Sequence, residues 1–249
     1  MPRFFALSPR NNAAAGAQNS DLMLLLQEIA AHDSKSSTAR IAASPAIARQ
    51  KADFGATRQV STDFYFKEIG HYVYAGDTAL HIAAAAYALE IAKTLFANGA
   101  NVRAKNRRGA EPLHYAVDGG PESPNWNPEA QASMVQWLID AGADPNSPDR
   151  SGVAPLHRAV RTRCAAAVGA LLSRGAEPHL RNGSGSTALH LAVQNTGRGG
   201  SGSPASREQQ REIIQLLLKS GASPGDRDAH GKSVKDSVRV DWVLQLFDE

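Results

Sequence analysis

Apolar residues fall three and four positions apart along much of the chain, the spacing that lines one face of a helix. Between Gly76 and Gly109, Leu80, Ala83 and Ala84 predict a short helix from Thr78 to about Ala85. Ile91, Ala92, Leu95 and Phe96 predict a second, from about Leu89 to Ala97. The second pattern returns three times, as Met134, Val135, Leu138 and Ile139, as Ala167, Val168, Leu171 and Leu172, and as Ile213, Ile214, Leu217 and Leu218. Small alanines on the first helix let neighbouring helices approach closely, so the rows should stack into one continuous core. Each large member should contribute about 1.5–3 kcal/mol when buried. Gly99, Gly142, Gly175 and Gly221 follow the second helices, where a left-handed residue ends a helix at least cost for glycine.

Outside this pattern the chain changes character. Residues 1–20 are rich in Ala, Asn, Ser and Pro, with Arg3 and Arg10 and no acid. They lack the apolar run of a secretory signal, while their acid-poor, arginine-bearing composition leaves an organellar presequence open. Asp21–His32 predicts a helix capped by Asp21, with Leu22, Leu25, Leu26 and Ile29 on one stripe; docking on the stack and a role in partner binding or self-association are both open to it. From Ser34 to Thr57 few large apolar residues occur, so a linker is expected and residues 1–57 read as a mostly disordered arm. Asp63–Tyr74 gathers Phe64, Tyr65, Phe66, Tyr72 and Tyr74. A stack of repeats needs a cover on its terminal face, and residues 58–75 are assigned that role, with an aromatic platform for a ligand as the alternative. After Gly231, residues 231–249 keep Val238, Val240, Trp242, Val243, Leu246 and Phe247, as expected of a capping half-unit.

The repetition is explicit. GDTALHIAA opens at Gly76, GAEPLHYAV at Gly109, GVAPLHRAV at Gly152 and GSTALHLAV at Gly185, with intervals of 33, 43, 33 and then 46 residues to Gly231. The period, the Leu-His-x-Ala signature (Leu80, His81; Leu113, His114; Leu156, His157; Leu189, His190) and the Gly-Ala stop together resemble the ankyrin repeat. The resemblance covers 76–231, with units at 76–108, 109–151, 152–184 and 185–230. It implies an all-α solenoid, each unit a helix–turn–helix with a β-hairpin loop. Thr78 and Thr187 keep the family's cap position; Glu111 and Ala154 replace it and should cap less well, by about 1 kcal/mol. The resemblance also implies that the four histidines bond to backbone between adjacent units. At about 10 Å apart by family geometry they cannot share a zinc, whose ligands lie within about 2.1 Å.

Composition adds little beyond a soluble class, but charge placement does. Net charge is +3. Arg103, Lys105, Arg107 and Arg108 crowd the first hairpin, and residues 150–181 carry Arg150, Arg158, Arg161, Arg163, Arg174 and Arg181 against Glu177 alone. In the family such tips and the exposed side of the first helices line a concave groove, which here should be basic and favour an acidic protein partner. Two long intervals place inserts between the helices of the second and fourth units. The first carries Trp126, either a partner anchor or a residue folded back on the stack. The second carries Arg198 and a GxGxxG match at Gly197, Gly199 and Gly202. No strand precedes it and no lysine follows, so a flexible loop is favoured over a phosphate cradle. The single Cys164 excludes an internal disulfide and fits a reducing compartment such as the cytoplasm; its place at a turn suits a structural role better than a reactive thiol. No nucleophile–base pair, carboxylate pair or ligand spacing stands out. The expected function is therefore non-catalytic protein binding by a monomer without cofactor, metal or membrane span. The alternative is polyanion or nucleic-acid binding through the arginines, discounted for want of groove aromatics that stack bases.

Overall fold

A computed structural model describes residues 9–121, 123, 126–194 and 203–248. The helices come in pairs. After α1 (Pro9–Ala30) and α2 (Ser34–Ala43), a two-stranded hairpin of β1 (Tyr65–Phe66) and β2 (His71–Tyr72) precedes α3 (Ala79–Ala85) and α4 (Leu89–Ala97). Then follow α5 (Pro112–Ala116) with α6 (Pro128–Asp140), α7 (Pro155–Arg161) with α8 (Ala165–Ser173), and α9 (Ala188–Ala192) with α10 (Pro204–Lys219). Short α11 (Val234–Ser237) and α12 (Asp241–Gln245) end the chain. First helices pack in one row, α1 on α3, α3 on α5, α5 on α7 and α7 on α9, and second helices in another, α2 through α10. The fold is an all-α repeat solenoid. Most of the expected rows form its core: Leu80, Leu95, Leu113, Met134, Leu138, Leu171, Leu189, Ile214 and Leu217 are fully buried, whereas the last member of each second-helix row turns outward, Phe96 exposed and Ile139, Leu172 and Leu218 half-buried.

One histidine latch ties each unit's first helix to the hairpin that leads into the next unit. The Nδ1 of His81, His114, His157 and His190 accepts the N–H of Thr78, Glu111, Ala154 and Thr187 at 3.1, 3.1, 3.2 and 3.3 Å. The Nε2–H of each donates to that hairpin, to the Ala110, Val153, Leu180 and Lys232 carbonyls at 3.1, 3.1, 3.0 and 3.3 Å. The latch thus acts even where Ala154 has no side-chain oxygen to offer. Glycine is required where hairpins meet: Gly152 has φ +72°, and a Cβ there would stand 2.7 Å from the Gly183 nitrogen.

The N-terminal arm departs from the sequence expectation. Residues 34–57 are not a linker: α2 and a 3-10 turn at Pro45–Arg49 fold onto the stack, burying Ile41, Ile47, Ala48 and Ala52. Alanine and serine read as disorder-prone, yet small side chains are what close helix packing admits. Asp21 does not start a helix, since α1 runs through it; Asp33 caps instead, accepting the Ser36 N–H at 3.0 Å. Arg40 ties α2 back to α1 through Glu28 at 2.7 Å. The same turn joins α1 to α2, α3 to α4 and α7 to α8: two residues beyond the first helix, His32, Tyr87 and Arg163 adopt φ of 57°, 53° and 61°. The terminal cover is therefore this helical pair. The aromatic segment assigned to that role forms the β1–β2 hairpin on the loop side, with Phe66, Ile69 and Val73 buried beneath it.

The inserts are partly helix. α6 starts at Pro128, where the Asn127 side chain caps it, and α10 starts at Pro204 under Ser203. Each added stretch carries a buried glutamine that satisfies carbonyls at the end of the preceding first helix. Gln131 Nε2 donates to Ala116 and Gly119 oxygens at 3.0 and 3.2 Å, and Gln210 Nε2 to the Ala192 oxygen at 2.7 Å. Cys164 is buried at the start of α8; its Sγ–H donates to Gln131 Oε1 at 2.7 Å, and burial raises its pKa.

Candidate functional site

The loop-side face carries a cavity of about 480 Å³. β2 supplies His71 and Tyr72, the hairpin tips supply Asn106, Arg108, Asp149 and Ser151, and α7 supplies Arg158, Arg161 and Thr162. Arg158 and Arg161 sit three residues apart, which puts both on one face of α7.

Beneath the cavity lies a polar network that sequence reading missed. Asp77 is fully buried and accepts from the Tyr115 hydroxyl at 2.8 Å, the Asn106 amide at 2.8 Å and the Tyr74 N–H at 2.7 Å. Burial and the Asp77 charge hold the Tyr115 hydroxyl well above its ordinary pKa. His71 lies 4.2 Å from the Tyr115 ring, centroid to centroid, with Nδ1 2.8 Å from its neighbour's carbonyl at Tyr72 and Nε2 3.1 Å from Asp118. Both ring nitrogens face acceptors, an arrangement that only the imidazolium satisfies. Burial works against that charge, but the Asp118 bond outweighs it and the His71 pKa is raised. Asp118 answers in kind: burial would raise its pKa, and Arg158 and His71 lower it. Only Asp77's place in a repeat opening and Asp118's at the start of an insert marked these acids in the sequence.

The ten residues expected to bind a partner separate sharply. Arg158 is not free surface charge. Its side chain is 16% exposed and bridges Asp118 at 2.7 Å and Asp149 at 2.9 Å. Arg103 pairs with Asp144 and Lys105 with Glu111, both at 3.5 Å. Trp126 turns inward against the core, its indole N–H donating to Gln131 at 3.2 Å. Arg198 lies outside the described residues, as do the GxGxxG glycines. Arg150, Arg161 and Arg181 are exposed and take no acid among the described residues. Arg107 and Arg108 both stack on Tyr74, with guanidinium carbons 5.4 and 5.0 Å from its centroid. Arg108 also donates to the Tyr74 hydroxyl at 3.0 Å and Arg107 to the Ala56 carbonyl.

The groove also holds aromatics, contrary to the sequence reading. Tyr65 and Tyr72 lie 4.8 Å apart and Tyr72 and Tyr74 6.4 Å, a run that leads from the hairpin to the arginines. Among the described residues no group of three His, Cys, Asp or Glu is placed to hold a metal, and no helix is long and apolar enough to cross a membrane.

Residues 12–123 and 127–228 match the family model for ankyrin repeats, described as three copies. The Ankyrin repeat and LEM domain-containing protein 1 homolog of Caenorhabditis elegans is 37% identical over 86 residues, which is 34% of this chain and 10% of that protein. The chain thus spans about a tenth of that relative's length. The family match begins inside α1, upstream of any Leu-His signature, and so takes in the helical pair that the signature alone leaves out. By that match and by the latched, stacked helix pairs, this chain belongs to the ankyrin repeat family.

Proposed function

We propose that the protein is a non-catalytic interaction module whose loop-side groove takes an acidic segment of a protein partner. Repeats of this family generally mediate protein–protein interaction. The observation that carries the finer reading is the rim of the large cavity: Arg161 and Arg108 face it without carboxylate partners among the described residues, while Arg158 beside them is fixed by two aspartates. A rigid rim of this kind orders its contacts before binding, which lowers the entropy cost of association. The basic field is narrower than the arginine count suggests, because Arg103, Lys105, Arg158 and Arg174 already have acids. The edge loops contribute less than expected, since Trp126 is turned inward.

The tyrosine run revives the second reading, capture of a single-stranded nucleic acid by stacking and charge. Affinity capture with the full chain against an Arg150→Glu/Arg161→Glu variant, in nuclease-treated and untreated duplicates, separates the two. Neither side chain bonds to another group among the described residues, so the variant should fold. A protein retained by the intact chain alone, with nuclease making no difference, supports the groove. Equal retention by both forms overturns it, and retention lost on nuclease treatment supports the second reading.

A further inference from the structure

A second cavity, of about 270 Å³, opens beside the first and shares Tyr72, Tyr74 and Arg108 with it. Its cations are Arg58, Arg107 and Arg108; its remaining polar lining is the hydroxyls of Thr57, Ser61 and the two tyrosines, and no acid among the described residues lines it. Arg58 and the adjacent pair Arg107 and Arg108, brought to one cavity without a carboxylate among the described residues, repel one another. Two of them are nevertheless held in place, stacked on one tyrosine and hydrogen-bonded to the Tyr74 hydroxyl and the Ala56 carbonyl. Such fixed guanidinium forks match an oxyanion bearing more than one charge.

We propose that this cavity is a phosphoryl subsite, and that the partner segment occupying the adjoining groove carries a phosphorylated side chain seated between Arg58, Arg107 and Arg108. The inference rests on the groove reading above and adds the chemistry of the partner. A single carboxylate would leave two of the three cations unanswered, whereas a phosphate monoester brings about −1.5 to −2 charges and three acceptor oxygens. A polypeptide is favoured over a nucleotide chain because the three arginines cluster locally beside the groove, rather than forming a continuous basic track along it. Arg58 enters the site from the segment that joins the first helical pair to the hairpin, so the folded N-terminal region completes it.

The test uses the full chain and short fluorescent acidic peptides that differ at one position: phosphotyrosine, phosphoserine, glutamate or alanine. Inorganic phosphate serves as the minimal probe. We expect phosphate to shift the Arg58, Arg107 and Arg108 Nε–H resonances and a phosphopeptide to bind at least about tenfold tighter than its glutamate counterpart, a gap of about 1.4 kcal/mol. The phosphotyrosine and phosphoserine arms show which side chain supplies the group. Arg58→Gln, at a side chain with no structural bond among the described residues, should erase most of that preference with unchanged helicity; Arg107→Gln should do the same. Equal affinity for phosphopeptide and glutamate peptide, or a preference that survives both substitutions, overturns the subsite. If the glutamate peptide still binds and loses affinity in Arg161→Glu, the groove reading stands without it. An oligothymidylate that binds as tightly as the phosphopeptide and depends equally on Arg58 overturns the choice of a polypeptide.

Discussion

His114 makes the fold acid-sensitive in a way that can be isolated. The ring is fully buried. Its Nδ1 accepts the Glu111 N–H at 3.1 Å while its Nε2–H donates to the Val153 carbonyl at 3.1 Å, so a second proton has no acceptor to meet. Burial, aided by the Arg158 charge, lowers its pKa to about 4. In the unfolded chain the value returns to about 6.5. The unfolded state then binds more protons between those two values, so stability falls as pH falls from 6.5 toward 4 and levels off below. With those pKa values the loss is about 2 kcal/mol at pH 5 and approaches about 3 kcal/mol at pH 4. His81 and His157, also lowered by burial, act in the same direction, and His71, whose pKa is raised, acts in the opposite one. The clean measurement is therefore a difference: urea unfolding of the intact chain and of His114→Gln at a series of pH values from 8 to 4.5. Glutamine does not titrate, so the variant should be less stable at pH 8 yet lose about 2 kcal/mol less on going to pH 5. Parallel pH profiles for the two proteins would refute the latch as described.

Two further perturbations address the hairpins and the inserts. Gly152→Ala places a Cβ on a left-handed backbone and against the Gly183 nitrogen; it should lower stability by at least about 1–2 kcal/mol, measurable by thermal unfolding, and a neutral result would mean that the hairpin tips are not in contact. Gln131→Ala strips two carbonyls, the Trp126 indole and the Cys164 thiol of a partner at once. It should cost about 1–3 kcal/mol and speed thiol labelling of Cys164, whereas an unchanged labelling rate would show that the glutamine does not hold the turn.

The repeating core was legible because its signal is repetition itself. Four Leu-His pairs and four apolar rows at fixed offsets survive any local ambiguity, and the leucine and histidine of every pair are buried where the pattern put them. The N-terminal pair was not legible, because α2 and the turn after it bury one isoleucine each among alanines and serines, and low bulk resembles disorder when no repeat signature accompanies it. The site was half legible. Arginines announce themselves by type, but nothing local reveals that Arg158 meets Asp118 forty positions away, or that Arg58 and Tyr74 converge on Arg107 and Arg108. Trp126 looked like an anchor on a polar loop because its hydrogen-bond acceptor, Gln131, belongs to a helix extension that the insert's composition concealed.

Those misreadings share a physical origin that bears on how the groove works. Buried arginines and aspartates cannot stand alone, so each charge drawn beneath the cavity recruits its opposite, and the sequence-level surplus of arginine is spent internally first. Arg158 consumes Asp118 and Asp149, and Asp118 in turn holds His71 and with it β2. The residual positive field is left where no acid among the described residues reaches, on Arg161 at one end of the cavity and on Arg58, Arg107 and Arg108 at the other. Because His71, Tyr72 and Tyr74 lie on the hairpin segment between those ends, the network that neutralises Arg158 also sets the spacing of the cations that remain. Binding strength should therefore respond to changes at Asp118 or His71 through geometry, without either residue touching the partner.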